Sequence, residues 1–452
     1  MAPPKPSEPP PLSEPAVIAA RRLGRPAILL QPYHPLLASI ESASWFGGFP
    51  KLPDHIDWPR EKTGEKRPLH FMAQIDCGAL PAQAADGHGF PRSGHLCFFS
   101  EIYELSETGA VLYFDAPPEH LTERLPPEDS PPVHGCEDYS TPFNDAQRPV
   151  DRAGLPHPAA MPRVPVHPFE FISYPGFAHM FMSDPLFKRP VFEGETVNDV
   201  AAALETQRAQ ALRDALNFDP VAAKNAYEVL VMGPTHLDQT GDIQYAGLVT
   251  QYAKTLLGAG NRILKSEKLS DRHPSAERLA QLAENLLQVL QGLTYFQRLS
   301  PDLLTRLSDL KRTYSELYET PMCPPRGYSF AVETQLRHLL FKGLVDPKSV
   351  TIPDEIKPAL SWFQNPVHQA TFPYDGREAA LKSRGIFQMG GYCHGSQYGY
   401  HPTQRLTPLL SVGYCDLTGY KYGDGGDWTF WVSPKDLSQR EFSSVGFAAD
   451  CH

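Results

Sequence analysis

The 452-residue chain has no C-x-x-C pair, no long apolar run and no lysine/arginine cluster. Each absence excludes a class of protein. Seven cysteines, at 77, 97, 136, 323, 393, 415 and 451, are odd in number and scattered. That pattern fits reduced thiols rather than a disulfide framework, and it denies zinc its usual paired ligands. No stretch approaches the roughly twenty apolar residues of a membrane span. A net charge of −11 with no basic face argues against nucleic-acid binding, because a phosphate backbone calls for clustered cations. The short motifs of hydrolytic and nucleotide chemistry are missing too: no G-x-S-x-G elbow, no H-E-x-x-H and no Walker lysine. "LGAGNR" at 257–262 reads as a connection between helices, not as the strand-to-helix turn of a phosphate loop.

Proline, by contrast, is abundant. Its 47 copies are about twice the usual share, and helix interiors and central strands reject it. Seven fall in residues 1–15 beside no apolar core, so this stretch reads as a disordered, polyproline-like tail and not as a secretory signal. Together with the reduced thiols, that points to a cytoplasmic protein. Thirteen more prolines occupy 115–170, which reads as irregular chain. Within it, residues 115–145 carry eight acidic side chains against the single Arg124.

Periodicity divides the remainder. Residues 16–190 form a first β-rich unit, opening with a short helix and a strand and continuing through "LHFMAQID" and "HLCFFSEI". Residues 191–345 form a helical insertion. There "TVNDVAAALETQRAQALRDALNF" and "SAERLAQLAENLLQVLQGL" place leucines on one face, further helices are expected near 221–232 and 243–257, and Ser300 followed by Pro301 reads as a helix cap. Residues 346–452 form a second β-rich unit.

The two β-rich units repeat one another. "FGGFPKLP" at 46–53 matches "MGGYCHGS" at 389–396, "PLHFMAQID" at 68–76 matches "PLLSVGYCD" at 408–416, and "GHLCFFSEIYEL" from Gly94 matches "GDWTFWVSPKDL" from Gly426. Three blocks in one order indicate duplication. The acidic glycine loop "YGDGGD" at 422–427 then aligns with a turn, where glycine supplies positive φ and aspartate bonds its own backbone. The strand after each turn is apolar on both faces, so each should be covered on both sides.

These blocks, "SWFGGFPKLPDHIDWP", "PLHFMAQIDCGALP", "GHLCFFSEI" and "YGDGGDWTFWVSPKDLSQREFSSV", resemble the YwqG-like family, a bacterial domain family of unknown function. The resemblance covers about 41–115 and 385–448. "GGYCHGSQ" keeps the family's glutamine as Gln397 and has Cys393 where a proline is usual, and no family motif maps onto the helical stretch. The resemblance implies a mainly antiparallel α+β fold and a bacterial cytoplasmic protein. Some relatives lie beside polymorphic toxins as proposed immunity proteins. No catalytic residues come with the family.

The expected architecture is therefore α+β: two related, mainly antiparallel β units forming one body, with an inserted helical region. Four of five tryptophans, Trp45, Trp58, Trp428 and Trp431, fall in or beside the repeats. They either fill the core or rim a cleft with Gln74, Asp76, Gln397 and Asp416 as polar anchors. Cys393, His394 and His401 could supply three metal ligands, but no paired spacing supports them, and no cofactor is expected. The favoured function is noncatalytic recognition of a basic protein partner through acidic side chains, among them Glu128, Asp129, Glu137 and Asp138. The alternative is a small-molecule-binding or metal-dependent enzyme with its site where the β units join. Protein purified without added zinc is expected to carry well under one equivalent by elemental analysis; stoichiometric zinc lost on replacing Cys393 and His394 would refute this.

Overall fold

A computed structural model describes residues 14–38, 40–62, 64–102, 108–133, 157–175, 197–216, 219–235, 244–318, 327–364, 367–369, 381–383, 387–392, 406–413 and 427–450. The strands are β1 Arg25–Pro32, β2 Trp45–Phe46, β3 Lys51–Leu52, β4 His70–Asp76, β5 His95–Ser100, β6 Gly109–Phe114, β7 Thr122–Glu123, β8 Val164–Ser173, β9 Val367–Gln369, β10 Leu381–Ser383, β11 Phe387–Gly390, β12 Thr407–Val412, β13 Asp427–Val432 and β14 Gly446–Asp450. The helices are α1 Glu14–Arg22, α2 Ala82–His88, α3 Val197–Ala215, α4 Pro220–Met232, α5 Ala246–Leu264, α6 His273–Leu290, α7 Pro301–Tyr318, α8 Tyr328–Val345, α9 Lys357–Leu360 and α10 Pro434–Gln439. Of the expected tail, residues 1–13 lie outside the described residues, and Glu14 and Pro15 open α1.

Ten strands make one antiparallel sheet in the order β14-β13-β12-β11-β1-β8-β2-β4-β5-β6. The order is a palindrome of the repeat. In chain order, β1-β2-β4-β5-β6 form one copy and β8-β11-β12-β13-β14 the other. Each copy's first strand, however, lies against the other copy's block: β1 pairs with β11, and β8 with β2. The two first strands pair with each other across the middle. Because β1 and β2 are parallel with β8 between them, residues 33–44 must cross over β8. In the second copy the matching crossover, over β1 from β8 to β11, takes residues 174–386.

The Gly-Gly pairs fix the equivalence. Gly47 and Gly48 (φ 63° and 66°) end β2 as Gly390 and Gly391 (φ 71° and 68°) end β11. A methyl on Gly48 would meet the Arg163 Cβ at 2.8 Å, and one on Gly391 would meet the Ala27 Cβ at 2.8 Å. These positions therefore need glycine for backbone conformation and for close approach. Phe46 then corresponds to Met389, and their partners Val164 and Ile28 correspond. This mapping exchanges Gln31 with His167, which face each other in the β1–β8 ladder. It also exchanges Phe98 with Phe430, whose rings touch at 5.2 Å. A pseudo-two-fold axis passes through both contacts. The sheet curls until its edges meet, with Gly109 of β6 against the rings of Phe430 and Phe447.

The outer part of the repeat follows the sequence matching: Leu96 and Phe98 correspond to Trp428 and Phe430, and β5 and β13 are buried on both faces after their first residue. Gly94, at φ 74°, is the turn before β5; Gly426 lies outside the described residues. One alignment needs correction. Phe71 faces Phe99 and Pro408 faces Trp431, with a bulge following in each ladder, so Gln74 (facing Cys97) corresponds to Ser411 (facing Thr429). Asp76 thus corresponds to Gly413, not Asp416. The textual match followed a proline-leucine pair that precedes the strand in one copy and lies inside it in the other. Its three-residue offset would have turned every side chain to the wrong face.

β8 is a further correction, since 115–170 read as irregular. Its burial alternates through most of Val164–Ser173 despite Pro165 and Pro168. β2 and the residues just before it cover β8 as far as Val166, whose N–H donates to the Ser44 carbonyl, so beyond it one side of β8 is an edge, where Pro168 removes no ladder bond. α3 packs on the outside of this central pair, Leu212 and Leu216 against Ala27, Leu29 and Phe171.

The helices beyond belong to a second compact unit, Val221–Trp362. α3 stays with the sheet because its leucines are buried there. Within the second unit, buried leucines of α6 (279, 286, 290) and α7 (303, 307, 310, 317) form the core, and Ser300 Oγ accepts from Leu303 N as the expected cap. "LGAGNR" is not a connection: it lies inside α5. A Cβ on Gly260 would come within 3.1 Å of the Ala276 carbonyl oxygen, so glycine serves close helix packing there. Cleaving a protease site inserted within 134–156 should leave two fragments that stay together through native gel filtration, since each holds a strand pairing within the other's half; separation without denaturant would refute the exchanged topology.

Candidate functional site

The outer face of β2, β4 and β5 brings several sequence-expected residues together. Trp45 and Gln74 are cross-strand partners, and both are buried, at 3% and 0% exposure. Trp45 packs with Leu52, Leu69, Phe71, Cys97 and Phe99, and Trp58 closes over this cluster. The Trp58 indole donates to the Leu69 carbonyl at 2.7 Å and meets Phe99 edge-on at 5.3 Å. Gln74 Oε1 accepts from Lys51 N at 2.8 Å, which fixes the amide, but Gln74 Nε2 and Trp45 Nε1 are buried without an acceptor among the described residues. Over the Trp45 ring, 4.0 Å from its centre, lies the guanidinium of Arg163. Burial pulls the Arg163 pKa down and Glu123 acts against that. Arg163 was not among the expected site residues. Its place just before β8, in a stretch that read as irregular, concealed it.

The corresponding place in the second copy is self-satisfied. Gln388, at the Trp45 position, gives its Nε2 to the carbonyls of Gly390 and Tyr392. Ser411, at the Gln74 position, shares a 3.1 Å hydrogen bond with Thr429. Trp428 and Trp431 are buried, at 1% and 5% exposure, within the second block and not beside Trp45. Gln397, Asp416, Cys393, His394 and His401 lie outside the described residues. Among the described residues, no group of three or more His, Cys, Asp or Glu is placed to hold a metal ion.

A second polar locus lies where β4, β5 and β6 end on the same side. Asp76 faces His95, which in turn faces Phe114, and Asp115 follows. Asp76 Oδ1 accepts from Gly78 N at 2.9 Å, and Asp115 Oδ2 accepts from Ser93 Oγ at 2.6 Å. Neither carboxylate forms an ion pair among the described residues. Partial burial lowers the His95 pKa, while Asp76 and Asp115 act to raise it. Arg440 stands nearby over the Tyr113 ring, 5.6 Å from its centre. Burial pushes the Cys77 thiol up to about 12 and raises Cys97 as well, so neither is a thiolate nucleophile near neutral pH.

The acidic segment is only partly free. Asp129 forms a two-point ion pair with Arg60, at 2.6 and 3.0 Å, and Glu128 is exposed; Glu137 and Asp138 lie outside the described residues. His70 ties the segment down. Its Nε2–H donates to the Pro131 carbonyl at 2.8 Å and its Nδ1 accepts from Ile102 N at 3.3 Å, which assigns the neutral tautomer from the bonding pattern.

A model of the family described as a domain of unknown function (DUF1963) matches the chain twice, over 44–210 and 283–451. The matches span well over half of the sequence, and the chain belongs to that family. No curated protein matches it. Among the described residues no helix is long and apolar enough to cross a membrane.

Burial depresses the His70 pKa from 6.5 to about 4. The unfolded chain therefore binds the proton more readily, and the contribution of neutral His70 is complete above pH about 6.5 and is lost as pH falls toward 4. Denaturant titrations should show on the order of 3 kcal/mol of this loss, and His70→Gln should flatten the profile across that window. An unchanged profile in the variant would refute the assignment.

Proposed function

We propose that the chain is a YwqG-like recognition protein of the bacterial cytoplasm that binds a basic protein partner without turnover, in an immunity or regulatory role. The observation that supports this is the pair Asp76 and Asp115 around His95. Two carboxylates are held by local hydrogen bonds to Gly78 N and Ser93 Oγ, with no ion pair among the described residues. A lysine or arginine side chain of a partner supplies the missing countercharge, and the net charge of −11 steers such a partner inward. Of the acidic segment, Glu128 remains available, whereas Asp129 is already neutralised by Arg60. Toxin neutralisation is the form this takes if the partner is an enzyme harmful to the host.

The test uses the partner that copurifies from the native host, followed by association kinetics at low and high salt. Asp76→Asn with Asp115→Asn keeps the local hydrogen-bond acceptors, and it should slow association on the order of tenfold at low salt, with the difference closing at high salt. Equal rates for variant and wild type would remove these carboxylates from the interface, and turnover of the partner would refute the noncatalytic reading.

A further inference from the structure

The outer face of the first repeat carries a donor set that no described residue uses. Trp45 Nε1 and Gln74 Nε2 are both buried without an acceptor, on cross-strand partner residues. An unpaired buried donor forfeits its hydration without replacing it, so two on cross-strand partners represent a standing destabilisation. Gln74 cannot relieve it by flipping its amide, because Oε1 is held by Lys51 N. The Arg163 guanidinium stacked on Trp45 makes no ion pair with any described residue, although Glu123 lies close enough to influence it. The second copy supplies an internal control. Its equivalents of Trp45, Gln74 and Arg163 are Gln388, Ser411 and Ala27, in which the polar groups are satisfied and the cation is absent. The two copies thus share the backbone and differ at three side chains, self-satisfied in one and offering unpaired donors in the other.

From this juxtaposition we infer that Trp45, Gln74 and Arg163 form a binding site for a small carboxylate anion. A carboxylate is acceptor-only and planar: it takes the indole and amide N–H groups and presents its charge to the guanidinium. A cationic ligand is disfavoured by Arg163, and the set offers two unpaired donors against one acceptor, Gln74 Oε1, that already takes the Lys51 N–H. The inference is independent of the protein partner proposed above, which uses the Asp76–Asp115 locus.

Acetate is the probe, compared with chloride at matched pH and ionic strength and with neutral acetamide, using the full chain. Acetate should raise the thermal midpoint of the wild type, and chloride and acetamide should not. Trp45→Phe removes one donor while keeping an aromatic side chain, and Arg163→Gln removes the charge; each should abolish most of the acetate shift. Trp45→Phe remains informative if Arg163→Gln proves unstable. No acetate shift in the wild type, or an equal shift in both variants, overturns the site.

Discussion

The structure depends on the β1–β8 ladder. Eight residue pairs, from Arg25 with Ser173 to Pro32 with Val166, join the first strands of the two repeats. Every other strand of the ten-stranded sheet attaches outward from them. A four-stranded block alone would end at β2 or β11 with unpaired backbone groups, which is a site for wrong association. Here the first strand of the opposite copy covers each inner edge, so neither copy is finished without the other. The burial of α3 against this central pair is a consequence: Ala27, Leu29 and Phe171 present one apolar surface contributed by both repeats.

The same duplication separates framework from function. Positions that set the backbone recur in both copies: the Gly-Gly pair with positive φ, the bulge after Phe71 and Pro408, and the facing rings of Phe98 and Phe430. Positions that carry unusual chemistry do not recur. Trp45 is replaced by Gln388 and Gln74 by Ser411; the Asp76 counterpart is Gly413 and the His95 counterpart is Asp427. A side chain shared by the copies is explained by folding, and one found in a single copy needs another explanation.

Much of the fold was legible where a local signal exists. Glycine turns and apolar runs located β4, β5, β12 and β13, leucine spacing located the long helices, and Ser300 marked a cap. Three features were not legible because their causes lie far apart in the chain. Proline hid β8, whose tolerance of Pro168 depends on how little of it β2 covers. The exchange of first strands leaves no trace in either segment by itself. The glycines of "LGAGNR" suggest a break until their proximity to α6 is seen. The site was half legible for the same reason. Trp45, Gln74 and Asp76 drew notice as polar or aromatic residues beside repeated motifs, whereas Arg163, Asp115 and Arg440 acquire their roles only through contacts across the sheet.

The two crossovers explain how one repeat could acquire so large an insertion. Both connect parallel strands separated by a single strand, one in 12 residues and the other in 213. The sheet fixes the ends of each connection, and the entropy of closing a flexible loop rises only with the logarithm of its length. The longer loop therefore costs about 2.5 kcal/mol more than the shorter one, and structure of its own within the loop reduces that figure further. The twelve-residue crossover is near the minimum that can pass over a strand, so it has almost no freedom to shorten, while its counterpart can lengthen at nearly constant expense. Insertions and swapped modules in related chains should accumulate at this second crossover.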